Sequence, residues 1–187
     1  MEFWPIELSN HLNAPSKKDP RMSENSGLPQ RAQVQFDCKG RASGKMRNDL
    51  DVMMTQPFTE GPFELSTDEG TFHGGDASAP PPLALFVAGL TGCIMTQIRA
   101  FAKRLKVNLV DLNVETRVIW DWEAKGKVYE TGPHSFEIDI YIDSNDPMEK
   151  QLELVTTAQK GCFLEQTLGQ KNKIKHRLKV GSDWVTT

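Results

Sequence analysis

Residues 83–106 read LALFVAGLTGCIMTQIRAFAKRLK and follow three consecutive prolines at positions 80–82. Apolar residues recur in this stretch at steps of three and four: Phe86, Leu90, Ile94, Ile98, Phe101 and Leu105. Such spacing puts them on one face of a helix. Proline can begin a helix but cannot continue one. The stretch therefore predicts a long helix that begins near Leu83 and ends near Lys106.

A second helical pattern lies in the C-terminal half of the chain. Asn145 or Asp146 before Pro147, with Glu149 just after it, is typical of a helix start. The apolar residues that follow share one helical face: Leu152, Val155, Ala158 and Cys162. The pattern predicts a second helix that continues to about Leu168.

The segments around these helices alternate apolar and polar residues with the period of a β-strand. Strands are predicted near residues 34–38, 50–54, 63–65, 112–122, 136–142 and 174–180, with turns at 39–44, Gly126 and Gly132-Pro133 and a glycine-rich loop at 70–76. The order is strands, long helix, strands, long helix, strand. This order predicts an α+β fold with two long helices packed against largely antiparallel sheet.

The size and charge of the chain limit its function. Its 187 residues suit one domain, with 31–187 as the folded unit and the polar residues 1–30 as an N-terminal arm. The 22 basic and 25 acidic residues are spread without a basic block. Nucleic acid is therefore not an expected partner.

Nothing in the sequence patterns predicts a membrane partner. The longest apolar stretch, residues 83–90, is far shorter than the roughly 20 residues that span a bilayer. The N-terminus lacks the basic and apolar regions of a signal peptide. We therefore expect a cytoplasmic protein.

Three cysteines are too few for a secreted disulfide scaffold, and in a reducing compartment they favour catalytic or buried roles. Cys93 and Cys162 each follow a glycine inside a predicted helix. Because a helical glycine costs about 1 kcal/mol relative to alanine, another group is expected to approach the backbone there. The pair could carry redox chemistry, or both thiols could simply be buried in helix contacts. There is no C-x-x-C motif and the four histidines are isolated, so no metal or other cofactor is expected.

A reactive cysteine must be a thiolate, which needs a nearby cation or helix N-terminus. Cys93 is too deep in its helix for the dipole to help much. Arg41 or Lys39 could supply the cation, although both could equally be solvated charges in a turn. Cys38 alternates in phase with Val34 and Phe36, which favours packing in a core.

Two segments, GDASAPPPLALFVAGLTGC at 75–93 and QKGCFLEQTL at 159–168, resemble the two cysteine motifs of the OsmC/Ohr family, the osmotically induced and organic hydroperoxide resistance proteins. The resemblance covers roughly residues 31–180. It implies an intertwined α+β homodimer with two central helices and active sites at the subunit interface. It also implies a thiol peroxidase in which Cys93 reacts with an organic hydroperoxide and Cys162 then forms a disulfide with it. A dithiol reductant would reopen that disulfide, and Arg41, with Lys39 as its rival, would stabilise the thiolate.

The sequence departs from the family pattern at two places. The family's glutamate after the proline would fall at Leu83 or Ala84, and Phe163 stands where a proline often follows the second cysteine. Asp76 or Glu165 could replace the missing carboxylate. Two alternatives therefore stay open: a non-catalytic dimer that binds a small apolar ligand, with structural or redox-sensing cysteines, and a structural dimer with inert thiols. In the peroxidase and in the ligand-binding dimer, three apolar side chains are expected to shape the pocket: Phe86, Leu90 and Phe163.

Overall fold

The structure, a computed structural model, describes residues 31–187. The expected N-terminal arm at residues 1–30 lies outside the described residues.

Three antiparallel sheets and two main helices make up the described part of the chain. The first sheet has the order β1 (Gln35–Ala42), β2 (Asn48–Gln56), β3 (Glu60–Thr67), and a short 3-10 turn at Thr71–His73 follows it. Next come α1 (Pro82–Leu105) and the long hairpin of β4 (Asp111–Lys125) and β5 (Val128–Asp143). The chain ends with α2 (Met148–Gly161), α3 (Phe163–Leu168) and a hairpin of β6 (Arg177–Val180) and β7 (Asp183–Thr186). The predicted α+β class with antiparallel sheets is confirmed.

The core lies where α1 meets α2 and the β4–β5 hairpin. α1 buries Leu90, Ile94, Ile98 and Ala102, and α2 buries Leu154 and Ala158. One face of the hairpin covers these residues with partly buried apolar side chains: Leu112, Val114, Ile138, Ile140 and Ile142. The helical and strand periodicities of the sequence thus account for this core.

α1 is also long and apolar enough, by length and composition alone, to cross a membrane. Its 24 residues exceed the apolar stretch at 83–90, because Thr91 and Gly92 end that stretch while apolar residues resume at Cys93. The core helix of a soluble protein can have the same length and composition. Here Ile94 and Ile98 belong to the core cluster shared with α2.

The predicted second helix is wrong near its end, because it is broken at Cys162. This residue has φ −77° and ψ 110°, an extended conformation, and separates α2 from α3. The break lets α3 turn and pack against α1, where the Leu164 side chain lies close to Gly89.

Two predicted turns are instead parts of strands. Residues 39–42 stay in β1 because the antiparallel ladder continues there, with Lys39 opposite Asp51 and Arg41 opposite Asp49. Gly132-Pro133 lies inside β5, where an irregularity between Ile119 and Trp120 of β4 accommodates the proline.

The sheet of β1, β2 and β3 has an apolar face that the described chain leaves uncovered. This face carries Phe36, Cys38, Leu50, Val52, Phe63 and Leu65, and the strand register places them side by side. Phe36 is 53% exposed and Phe63 47% exposed. The expected core packing of Cys38 is wrong within residues 31–187, because these residues form no second layer over the sheet and the thiol is exposed.

Candidate redox site

Cys93 and Cys162 come together although they are far apart in the sequence. Cys93 lies in the middle of α1, and Cys162 lies at the break between α2 and α3. Cys93 packs, half-buried, against the core cluster that contains the fully buried Cys162. The two thiols are close enough for Cys93 to raise the pKa of Cys162. The fold therefore provides a pair of adjacent free thiols.

The environment of Cys162 keeps its thiol protonated. Burial is the largest of the effects that raise the pKa of Cys162 from 9.0 to about 11. The neighbouring Cys93 and Glu165 side chains contribute smaller rises. The backbone N–H of Glu165 faces the sulfur and opposes this rise. At neutral pH Cys162 is a thiol and a poor nucleophile.

Glu165 is the carboxylate beside this thiol pair. It lies in the first turn of α3, three residues after Cys162, and its side chain interacts with that thiol. Burial raises the pKa of Glu165. Its Oε1 atom is buried and has no hydrogen-bond partner among residues 31–187. Asp76, the other candidate for the missing carboxylate, instead pairs with Lys45 at 2.7 Å, away from the thiols.

The two glycines that precede the cysteines differ in their surroundings. A Cβ atom on Gly161 would lie 2.5 Å from Cε2 of the Phe101 ring, so the expected close approach is confirmed there. A Cβ atom on Gly92 would meet nothing within 4 Å in the described chain. Of these two glycines, Gly161 alone is required by a neighbour among residues 31–187.

Arg41 and Lys39 lie on β1, in the sheet with the uncovered apolar face. The Arg41 side chain is 82% exposed, and its Nη2 atom lies 3.7 Å from Oδ2 of Asp49. Both residues border a surface groove of about 580 Å³ along β1, β2 and β3. Within one chain, the structure does not bring either cation to the cysteine pair.

Arg47 is a second arginine, directly before β2, and the sequence pattern did not single it out. Its guanidinium donates to the carbonyl oxygen and the hydroxyl of Ser78 at 3.2 and 3.0 Å, and to the Ser66 hydroxyl at 2.8 Å. Ser78 precedes α1, so Arg47 ties the first sheet to the segment that leads into the cysteine helix. Arg47 follows a predicted turn, and no spacing in the sequence distinguished it from other exposed charges.

Asp68 also holds the segment before α1, through hydrogen bonds to Ser78. Its carboxylate is buried and accepts hydrogen bonds from the backbone N–H and hydroxyl of Ser78 and from the N–H of Glu69. These bonds, chiefly those from Ser78, lower the pKa of Asp68. Gly75 completes the turn, since a Cβ atom there would collide with the Glu69 carbonyl.

Two cavities lie near the helices. One, of about 390 Å³, includes the Glu165 side chain in its lining and is bordered by Leu90, Phe136, Ile138, Gln159, Glu165, Leu168 and Gly169. The other, of about 480 Å³, is mostly aromatic and is bordered by Phe72, His73, Leu83, Trp120, Asp121, Trp122, Tyr129 and Thr131. Of the three predicted pocket residues, Leu90 borders the first cavity, Phe86 packs against Trp120, and Phe163 is 60% exposed.

Histidine, cysteine and carboxylate side chains do not gather into a metal-binding group of three or more within residues 31–187. The reactive groups that the fold does bring together are the two thiols and the neighbouring Glu165 carboxylate.

Comparison with known proteins identifies the family of the chain. The family model for OsmC-like proteins matches residues 74–177, which include both cysteines. A solved OsmC-like hydroperoxide resistance protein from Jannaschia sp. CCS1 is 65% identical; the match covers 84% of this chain and all of that one, with a TM-score of 0.58. An organic hydroperoxide resistance protein OsmC from Legionella pneumophila is 21% identical over 74% of this chain and 91% of its own, with a TM-score of 0.52. No curated protein matches the chain. The match to the family model and the identity to the Jannaschia protein show that the chain belongs to the family of OsmC-like proteins.

Proposed function

We propose that the chain is a thiol-dependent peroxidase that reduces organic hydroperoxides as a homodimer. The observation that carries the proposal is the meeting of Cys93 and Cys162 at one point of the fold. The 65% identical Jannaschia protein, an OsmC-like hydroperoxide resistance protein, supports the same substrate class. A half-buried thiol beside a fully buried one suits a peroxidatic and a resolving cysteine, in that order.

The reaction needs two steps. The Cys93 thiolate attacks the O–O bond of the hydroperoxide, becomes a sulfenic acid, and releases an alkoxide that takes up a proton and leaves as the alcohol. The Cys162 sulfur then attacks the Cys93 sulfur, so that an S–S bond forms, the S–O bond breaks and water leaves. A dithiol reductant returns both thiols by exchange.

The proposed homodimer supplies a covering layer and a cation that residues 31–187 of one chain do not supply. The apolar face of the first sheet, with Phe36, Phe63 and Leu65 about half exposed, is of the kind that another protein surface covers. We propose that a second copy covers it. The exposed Arg41, or Lys39 beside it, would then stabilise the thiolate across the subunit interface.

We propose a cytoplasmic location for this activity. Free thiols that cycle through a disulfide need a compartment that supplies reducing dithiols. Nucleic acid and membrane have no part in the proposed reaction.

Turnover with cumene hydroperoxide and dithiothreitol tests the peroxidase directly. The wild-type protein should consume hydroperoxide catalytically, Cys93→Ser should lose activity to background, and Cys38→Ser should keep it. Equal rates in wild type and Cys93→Ser would overturn the proposal.

The aromatic cavity of about 480 Å³ favours a second candidate function, in which the protein binds a small apolar molecule without reacting with it. Its walls include Trp120 and Trp122, so ligand binding should change tryptophan fluorescence. Under this alternative Cys93→Ser would bind an apolar probe as well as wild type does, and neither protein would consume hydroperoxide.

A further inference from the structure

The second step of the proposed reaction has a difficulty in this structure. The attacking group must be a thiolate, because the thiol is a weak nucleophile. With a pKa of about 11, only about one Cys162 side chain in ten thousand is ionised at pH 7. Closure of the disulfide therefore needs a group that takes the Cys162 proton.

Glu165 lies next to Cys162 and has a carboxylate oxygen that is free to accept the proton. Its side chain interacts with the Cys162 thiol, and no other carboxylate has a comparable effect on that thiol among the described residues. Its Oε1 atom is shielded from solvent and accepts no hydrogen bond within residues 31–187. Lysine, arginine and histidine side chains of the same residues form no salt bridge with it.

Burial makes Glu165 a better base than an exposed glutamate, because it raises the pKa of the carboxyl group. Leu90, Phe136, Ile138 and Leu168 border part of the cavity of about 390 Å³ that the carboxylate also borders, together with Gln159 and Gly169. Burial disfavours the charged form, so the carboxylate gains when it takes up a proton. Efficient general bases are tuned towards the working pH in this way.

We propose that the Glu165 carboxylate is the general base for Cys162, removing its thiol proton as the sulfur attacks Cys93. In the peroxidase reaction the electron pair of the Cys162 sulfur forms the S–S bond, and the S–O bond of the Cys93 sulfenic acid breaks. The hydroxide that leaves takes a proton from solvent to become water, and Glu165, which ends the step protonated, then returns its proton to solvent. The inference rests on the proposed function for this substrate, but the same proton transfer applies to any disulfide closure by Cys162.

A competing role for Glu165 predicts the opposite effect. Its negative charge also disfavours a second negative charge on Cys162. If this repulsion were its main effect, removing the charge would increase the thiolate fraction and speed up closure. The direction of the rate change therefore distinguishes a base from a repulsive charge.

The test measures disulfide closure alone, in a Cys38→Ser background that removes the exposed third thiol. DTNB first forms a mixed disulfide with Cys93, and attack by Cys162 then releases a second coloured thiolate. Glu165→Gln keeps the shape of the side chain but cannot accept the proton. Glu153→Gln makes the same change on the exposed side of α2 and serves as the matched control. Glu165→Asp tests rescue, and circular dichroism with thermal melting checks that each variant is folded.

We expect the second release to slow by about tenfold or more in Glu165→Gln, to recover in part in Glu165→Asp, and to be unchanged in Glu153→Gln. With cumene hydroperoxide, Glu165→Gln should accumulate a Cys93 sulfenic acid that dimedone traps. Unchanged or faster closure in a folded Glu165→Gln variant would overturn the inference.

The two proposals fail in different ways. If the wild-type protein ignores hydroperoxide while DTNB closure still depends on Glu165, the peroxidase proposal fails and the inference about Glu165 holds. If hydroperoxide produces the Cys93–Cys162 disulfide equally fast with and without the carboxylate, the peroxidase proposal holds and the inference fails.

Discussion

The two thiols of the pair differ in burial and therefore in reactivity. Cys162 is fully enclosed beside the Glu165 carboxylate, whereas Cys93 is half exposed on α1. The enclosed thiol is protected from reagents and from ionisation, so it is suited to react with a neighbouring sulfur and not with an external oxidant. This difference is why we assign the first reaction to Cys93.

The first prediction concerns alkylation of Cys162 in the reduced, native protein. A pKa of about 11, against 9.0 for an ordinary thiol, lowers the thiolate fraction at neutral pH about a hundredfold. Because the thiolate is the species that reacts, alkylation of Cys162 should rise about tenfold for each pH unit until the pH approaches 11. Mass spectrometry of timed iodoacetamide reactions measures this. A Cys162 that is alkylated as fast as the exposed Cys38 at pH 7 would contradict the assignment.

The second prediction compares the two glycines before the cysteines. Gly161→Ala would push a methyl group into the Phe101 ring, so it should destabilise the protein by about 1–3 kcal/mol. Gly92→Ala meets no neighbour in the described chain, and alanine is the better helix former, so it should be neutral or stabilising by up to about 1 kcal/mol. Urea unfolding at a fixed protein concentration measures both. A stability loss in Gly92→Ala of the size seen in Gly161→Ala would indicate that a second subunit lies against Gly92.

At the scale of elements, the segment between β3 and α1 sets the position of the cysteine helix. Asp68 and Arg47 hold Ser78 from two sides, just before the prolines that begin α1. The segment is therefore fixed by a buried carboxylate and by an arginine from the first sheet.

The third prediction is that Asp68→Asn lowers the melting temperature at neutral pH and weakens the acid dependence of stability. The pKa of Asp68 is lower in the folded chain than its ordinary value of 3.8. Its contribution is therefore present above that value and is lost as the pH falls towards the folded pKa. Thermal melts between about pH 2 and pH 7 should show a smaller loss of melting temperature in acid for the variant than for the wild type. Parallel curves for the two proteins would contradict the role given to Asp68.

Several elements were predictable from the sequence, and the failures have physical reasons. The period of Leu90, Ile94 and Ile98 determines α1 because these residues share one buried face. The break at Cys162 was missed because the apolar spacing continues through Leu164 and Leu168, and no proline interrupts it. The break depends on how α3 packs against α1, which is a tertiary effect that local patterns do not carry.

The candidate site was predictable in part for the same reason. Both cysteines could be selected because each follows a glycine, yet only the fold shows that they meet and that Phe101 lies against Gly161. Glu165 could be named as a carboxylate near the second cysteine in the sequence. The burial of its Oε1 atom without a hydrogen-bond partner depends on residues of other elements, such as Leu90 and Phe136, that border the same cavity.

In the molecule as a whole, residues 31–187 leave the first sheet incomplete. Its apolar face has the two-residue period of a strand layer that is buried on one side, yet Phe36, Phe63 and Leu65 remain about half exposed. The described residues likewise place neither Arg41 nor Lys39 beside the thiol pair, while Arg41 is exposed on that sheet. Assembly with a second copy would resolve both.

The fourth prediction is that Phe63→Lys shifts the protein from a dimer towards the 21.0 kDa monomer. A lysine at this position would place a charge within the apolar face that the second copy is proposed to cover. Glu64→Lys, on the opposite face of the same strand, is the matched control and should leave the dimer intact. Sedimentation analysis measures both. A wild-type protein that sediments as a monomer would contradict the proposed assembly.

The central claim is that Cys93 and Cys162 form a redox pair that an organic hydroperoxide oxidises. The most direct measurement treats the fully reduced protein with an equimolar amount of cumene hydroperoxide, blocks the remaining thiols by alkylation, and maps the cysteines by mass spectrometry. We predict a rapid Cys93–Cys162 disulfide with Cys38 free, and no such disulfide in Cys93→Ser. Recovery of all three thiols in the free form after exposure to hydroperoxide would contradict the claim.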